Sequence, residues 1–173
     1  MKGKLPRLPA EYYRGRAYVF WTHTTEKRAR FDLGAELHLQ FREVLLHACV
    51  RYALATPIYC IMPDHIHLLW IGRSQDSDQQ KATAFLRKYF GKRIVPVRWQ
   101  AQPHDHVVRE QERQSGRHVD TSNYILANPV RAGLVERWEQ YPWLGAIVPG
   151  FPDLDRRDPD FAERFWKIIE KGM

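Results

Sequence analysis

Residues 56–72 read T-P-I-Y-C-I-M-P-D-H-I-H-L-L-W-I-G: two apolar runs of strand length, broken only by the turn signal Pro63-Asp64. Two such neighbouring runs form a hairpin, and a hairpin commits the chain to an antiparallel sheet. Neither run approaches the roughly 20 apolar residues that a membrane-spanning helix needs.

Upstream, residues 16–24 (R-A-Y-V-F-W-T-H-T) are rich in aromatic and β-branched side chains and read as a further strand. Residues 35–54 place Leu37, Phe41, Val44, Leu45 and Ala48 at helical spacing. Downstream, Ser77 and Asp78 offer caps for a helix over 77–90 with a basic C-terminal end. After Pro96, V-R-W-Q and H-D-H-V-V-R suggest short strands or an irregular crossing. Residues 114–128 read as a helix stopped by Pro129, because the residue before a proline is pushed away from helical angles. Residues 161–171 read as a last amphipathic helix. The order predicts an α+β fold: a ferredoxin-like (RRM-like) antiparallel sheet with helices packed on one face. One domain is expected over residues 15–145, after a basic extended arm over 1–14 and before a C-terminal segment, 146–173, that holds the last helix. The start of the chain carries no apolar run of the signal-peptide kind. Cys49 and Cys60 each lie inside an apolar run, where a buried thiol in a reducing cytoplasm is the expectation.

The second run of the hairpin carries His65 and His67. Two residues apart on a strand, both imidazoles aim at one point, while Ile66, Leu68 and Trp70 face the other way as an anchor. Two neutral rings with free lone pairs suit a divalent metal, and on spacing alone two satisfied structural histidines fit as well. A second H-x-H, His104 and His106, follows Pro103 and encloses Asp105; surface or nucleic-acid contact is expected there before metal ligation. Tyr124 and Asn128, in S-N-Y-I-L-A-N-P-V-R-A-G-L-V, stand four residues apart, which on a helix brings a hydroxyl and an amide to one face. Core packing can place a tyrosine in the same way.

In their order, the segments G-R-A-Y-V-F-W-T, M-P-D-H-I-H-L-L-W, W-Q-A-Q-P-H-D-H-V-V-R and Y-I-L-A-N-P-V-R-A-G-L-V resemble those of REP-associated tyrosine transposases, the single-tyrosine HUH transposase group. The similarity spans residues 15–143, and its most specific block is the last; Leu126-Ala127 departs from the polar or His-containing pair of many relatives. The resemblance implies a metal-dependent endonuclease and strand transferase acting on single-stranded DNA with hairpins, the REP-like elements. It assigns His65 and His67 to the HUH pair, Tyr124 to the nucleophile, and Asn128 to the third, amide ligand of Mg²⁺ or Mn²⁺. Such chemistry keeps the bond energy in a phosphotyrosyl ester and needs no nucleotide hydrolysis, and no G-x-x-x-x-G-K-[ST] loop occurs in the sequence.

The chain has 27 Lys+Arg against 20 Asp+Glu, a net charge of +7, which favours an anionic partner. Arg87, Lys88, Lys92, Arg93, Arg98, Arg109 and Arg131 are candidates for phosphate contacts, with Lys2, Lys4 and Arg7 tracking a hairpin stem. Trp99 and Tyr89 are candidates for base stacking, whereas Trp138, Tyr141, Trp143 and Trp166 read as packing. Two other readings compete: a non-catalytic hairpin-binding protein of the same fold, and a His-ligated zinc hydrolase, which would have no need of a tyrosine nucleophile. A monomer is favoured over a dimer, because the segment beyond Trp143 can cover the chain's own surface. No membrane partner is expected, and the location implied is cytoplasmic.

Overall fold

The structure is a computed structural model that describes residues 7–172, less the side chains of residues 117 and 118; Lys2 and Lys4 lie outside the described residues. Five strands and five helices follow in the order β1 (Tyr18–Thr24), α1 (Ala35–Arg51), β2 (Leu54–Met62), β3 (His65–Gly72), α2 (Gln79–Gly91), β4 (His104–Val108), α3 (Glu110–Gln114), α4 (Arg117–Arg131), β5 (Leu144–Ile147) and α5 (Phe161–Lys171). The strands form one antiparallel sheet in the order β4-β1-β3-β2-β5. Its first four strands have the split βαβ arrangement of ferredoxin-like folds, with β5 added beside β2. The hairpin read from the sequence is there: Met62 faces His65 across the turn at Pro63-Asp64.

The helices cover both faces of the sheet, not one. Every residue of β2 and nearly every residue of β3 is buried, so neither side of the central pair can be left to water. On one face Trp21, Ile61, Ile66, Leu68 and Trp70 pack with Phe41 and Leu45 of α1 and Leu86 and Phe90 of α2. On the other, Ile58, Cys60, Met62 and Leu69 meet Ile125 and Leu126 of α4. Beside them Ala55, Ile71 and Ala146 meet Phe161, Phe165 and Ile169 of α5.

Three boundaries differ from the sequence reading, each for a local reason. α1 ends at Arg51 because Ala53 turns to a positive φ of 50°, a conformation held by the Arg73 N–H and the Ser77 hydroxyl on the Ala53 carbonyl at 2.8 and 2.7 Å. α4 runs through Pro129 to Arg131 instead of stopping before it. Proline's fixed φ suits a helix, and the turn around it is held by the Ala132 N–H on the Asn128 carbonyl at 2.9 Å. The N-terminal stretch is not an extended arm from residue 7 onward: Ala10–Tyr13 is a 3-10 turn, and Tyr13 is buried with its hydroxyl donating to Asp105 at 2.5 Å. β5 carries the sheet across residue 145, so the C-terminal segment packs into the same body.

Cys49 and Cys60 are free and buried, and burial pushes both thiols up to about 12. Among the described residues no helix is long and apolar enough to cross a membrane.

Candidate active site

The strand period puts His65 and His67 on the α4 face of β3, back to back with Ile66, Leu68 and Trp70. Their ring centroids are 4.6 Å apart and nearly perpendicular. In each ring Nδ1 has an oxygen partner. His65 Nδ1 is 2.5 Å from Asp64 Oδ1, and His67 Nδ1 is 2.9 Å from Thr22 Oγ1. In the tautomer with Nδ1 donating to these oxygens, Nε2 is the nitrogen left to offer a lone pair, which is how ligating histidines are usually oriented.

His67 is only 5% exposed. Burial first, then the charges of His65 and Arg28, lower its pKa to about 3, with a hydrogen bond to Asn128 acting in the opposite sense. The ring is therefore neutral at physiological pH. Burial works against the Asp64 carboxylate, but His65 and Arg28 together hold its pKa below the usual range. Arg28 Nη1 lies 3.3 Å from both Asp64 and His65, a rim cation.

α4 delivers the other two candidates. Tyr124 is 43% exposed and stands 5.8 Å from the His67 ring and 5.9 Å from the Phe20 ring, centroid to centroid. Asn128 sits one turn on, and its Nδ2 donates to the Tyr124 carbonyl at 2.8 Å. That bond leaves Oδ1 as the amide atom for the histidine side. Ile125 and Leu126, between the pair, are buried against β2 and β3 and fix the rotation of the helix. Arg131 lies over the Tyr124 ring at 5.2 Å.

Strand register also brings the second H-x-H to this face. His104 pairs with Thr22 and His106 with Phe20, while Thr22 pairs with His67 on its other side. Asp105 points the opposite way, where Tyr13 and Arg7 hold it. Among the described residues no three His, Cys, Asp or Glu side chains gather as a metal set.

The cations named from sequence are spread over both faces. Arg7 is tied to Asp105 at 3.2 Å and lies over Trp21, away from Tyr124. Arg87 is half-buried over Trp99, its guanidinium donating to the Gln100 carbonyl, and burial lowers its pKa to about 10. Lys88 on α2 and Lys92 just beyond its end are exposed, across the sheet from Tyr124, and flank the Tyr89 ring at 5.3 and 5.6 Å. Arg93, Arg98 and Arg109 are exposed, and Arg131 lies over the Tyr124 ring. Trp99 is no free stacking platform: it packs on Phe90 and donates to the Arg87 carbonyl. Tyr141 is a packing residue, as read, with its hydroxyl on the Ile61 carbonyl at 2.8 Å.

The sequence reading missed Thr22, Asp64 and Arg28. Asp64 had a signal, being the neighbour of His65; the other two are brought in by strand register and by the turn at residues 26–28.

No protein-family model matches the chain. A Haemophilus influenzae protein described as a REP-associated tyrosine transposase is 28% identical over 148 residues, covering 77% of this chain and 81% of that protein. A solved structure of a REP-associated tyrosine transposase bound to a REP hairpin superposes with a TM-score of 0.65 at 22% identity, covering 82% of this chain and 81% of that one. The chain is thus similar, in sequence to the one and in fold to the other, to the REP-associated tyrosine transposases that its motifs resemble.

Proposed function

We propose that this protein is a metal-dependent endonuclease and strand transferase of the transposase type, acting on single-stranded DNA beside REP-like hairpins through a 5′-phosphotyrosyl intermediate on Tyr124. One observation carries the reading: His67 and the Tyr124/Asn128 pair, far apart in sequence, meet on one face of one chain, with His65 against His67. A site complete within one chain favours a monomer. The curated relative is named a transposase and the solved one is bound to a REP hairpin, which supports a hairpin partner here. A DNA substrate implies the cytoplasm as the working location.

The donor set fits a hard divalent cation. His65, His67 and Asn128 would hold Mg²⁺ or Mn²⁺ through two imidazole nitrogens and an amide oxygen, all neutral, and the ion would place undiminished positive charge against the scissile phosphate. The chain's own residues do the rest. Thr22 and Asp64 hold the two rings in the orientation that frees Nε2, and Arg28 and Arg131 offer cations to the entering backbone. The Tyr124 oxygen attacks the phosphorus, the tyrosyl O–P bond forms and the bond to the 3′-oxygen breaks. The phenol's proton is lost and the departing 3′-oxygen gains one, so the step is redox-neutral and reversible by a 3′-OH.

The test is incubation with an end-labelled single strand carrying a hairpin and its 5′ flank, with Mg²⁺ or Mn²⁺ and with chelator. A covalent protein–DNA adduct is expected that requires metal and disappears in Tyr124→Phe. An adduct that persists in that variant removes Tyr124 as nucleophile. Tight hairpin binding with no adduct on any flank would leave the non-catalytic binding protein as the function.

A further inference from the structure

On the β4 side of Tyr124 the surface opens into a cleft of about 370 Å³ that the chemistry above does not use. Phe20, Tyr124 and His106 give it aromatic walls; Glu112, Asp120 and Thr121 add hydrogen-bond acceptors. The cleft is a built feature. His106 Nε2 is 3.3 Å from Glu112 Oε1, and the other Glu112 oxygen accepts the Arg109 N–H at 2.9 Å, which fixes the carboxylate in place. Phe20 joins the cleft to the histidine pair, with its ring 5.3 Å from that of His67 and 5.9 Å from that of Tyr124. A nucleotide whose phosphate lies at the pair can therefore put its base, or its neighbour's base, into the cleft.

Charge and shape decide which part of a nucleic acid enters. In a chain of net charge +7, two carboxylates beside the nucleophile repel phosphate and admit the uncharged base. Aromatic walls stack on any base. Carboxylates accept hydrogen bonds, so they favour adenine, cytosine or guanine, which carry an exocyclic amine, over thymine, whose exocyclic polar groups are both carbonyl oxygens. We infer that this cleft is a specificity pocket for an amine-bearing nucleobase next to the phosphate that Tyr124 attacks. The inference rests on the DNA-cleaving reading and adds to it a position where base identity is read.

The experiment is an anisotropy titration of the full chain carrying Tyr124→Phe, which keeps the ring and removes the chemistry. The probe is a hairpin with a short all-thymine 5′ flank, in which a single adenine is walked along the flank and then replaced by unsubstituted purine, which lacks only the amine. At one position adenine is expected to bind about tenfold tighter than purine or thymine. Asp120→Ala and Glu112→Gln are each expected to bring that ratio toward one. Salt-dependent hairpin binding with no such position, or a preference that survives both substitutions, overturns the pocket and leaves the transposase reading standing. A chain that binds no hairpin at all overturns both.

Discussion

Thr22 shows what a second neighbour does for a candidate ligand residue. Its hydroxyl takes up His67 Nδ1 and so decides which nitrogen of that ring faces the site. Thr22→Val is expected to weaken Mn²⁺ binding by roughly tenfold in calorimetry without DNA; an unchanged affinity would remove Thr22 from the site. His23 lies on the other face of β1, fully buried, with neither ring nitrogen hydrogen-bonded among the described residues. Burial, ahead of Arg87, Arg7 and His67, lowers its pKa from 6.5 to about 3, and His38 is lowered to about 4 by burial, then Arg42 and Arg157. Between 6.5 and those values the unfolded chain takes up protons that the native chain refuses. Stability present above pH 6.5 is therefore lost as pH falls, by up to about 1.4 kcal/mol per pH unit for a buried group such as His23. Urea melts at pH 7 and pH 5 should show the drop, and His23→Phe should shrink it; an equal drop in both proteins would disprove the assignment. At this scale the histidine pair and the Tyr124/Asn128 spacing were legible because periodicity alone orients them. Arg7 and Arg87 were not, since an arginine folded onto Trp21 or Trp99 looks in sequence like a solvated one.

Among the elements, hairpin, cap and last helix could be read directly. Asp78 caps α2 by accepting the Lys81 N–H at 3.0 Å, and α5 begins and ends where its apolar spacing does. β5 escaped notice because four residues are too few for a periodicity, and only the exposed edge of β2 gives them a partner. The two-sided covering of the sheet was present in the unbroken apolar run of β2 and β3, which is the pattern of strands buried on both faces. Where β3 ends, close packing leaves no room for a side chain. Gly72 N–H donates to the Ala17 carbonyl at 3.0 Å, and a Cβ there would stand 1.8 Å from the Gly15 carbonyl oxygen, a backbone atom that cannot swing aside. Gly72→Ala is expected to cost roughly 3 kcal/mol, the upper end of overpacking effects, in urea denaturation. A loss under about 1 kcal/mol would mean that the crossing relaxes easily.

Across the whole molecule the sheet separates two kinds of positive charge. Arg28 and Arg131 border the histidines and Tyr124, whereas Lys88 and Lys92 stand on and just beyond α2, behind the sheet. Hairpin affinity is expected to fall steeply with salt. Replacing Arg28 and Arg131 together by alanine should reduce the salt slope by about two, one for each lost phosphate contact. The Lys88→Ala/Lys92→Ala pair should change it little; an equal loss would show that the strand wraps the edge of the sheet. Net charge favoured an anionic partner, but where the charge lies needed the fold. The proposed nucleophile and amide ligand, finally, ride one turn of one helix, joined by the bond from Asn128 to the Tyr124 carbonyl, while the imidazoles belong to the sheet. Any rotation of the helix that withdraws the phenol withdraws the amide oxygen with it. A half-dismantled site, keeping its amide ligand on a cation but offering only water to the strand, would thereby be hard to form. On the proposed chemistry the helix would work as a safety catch: the blade would not be armed for stray hydrolysis without the group that is to keep hold of the cut end.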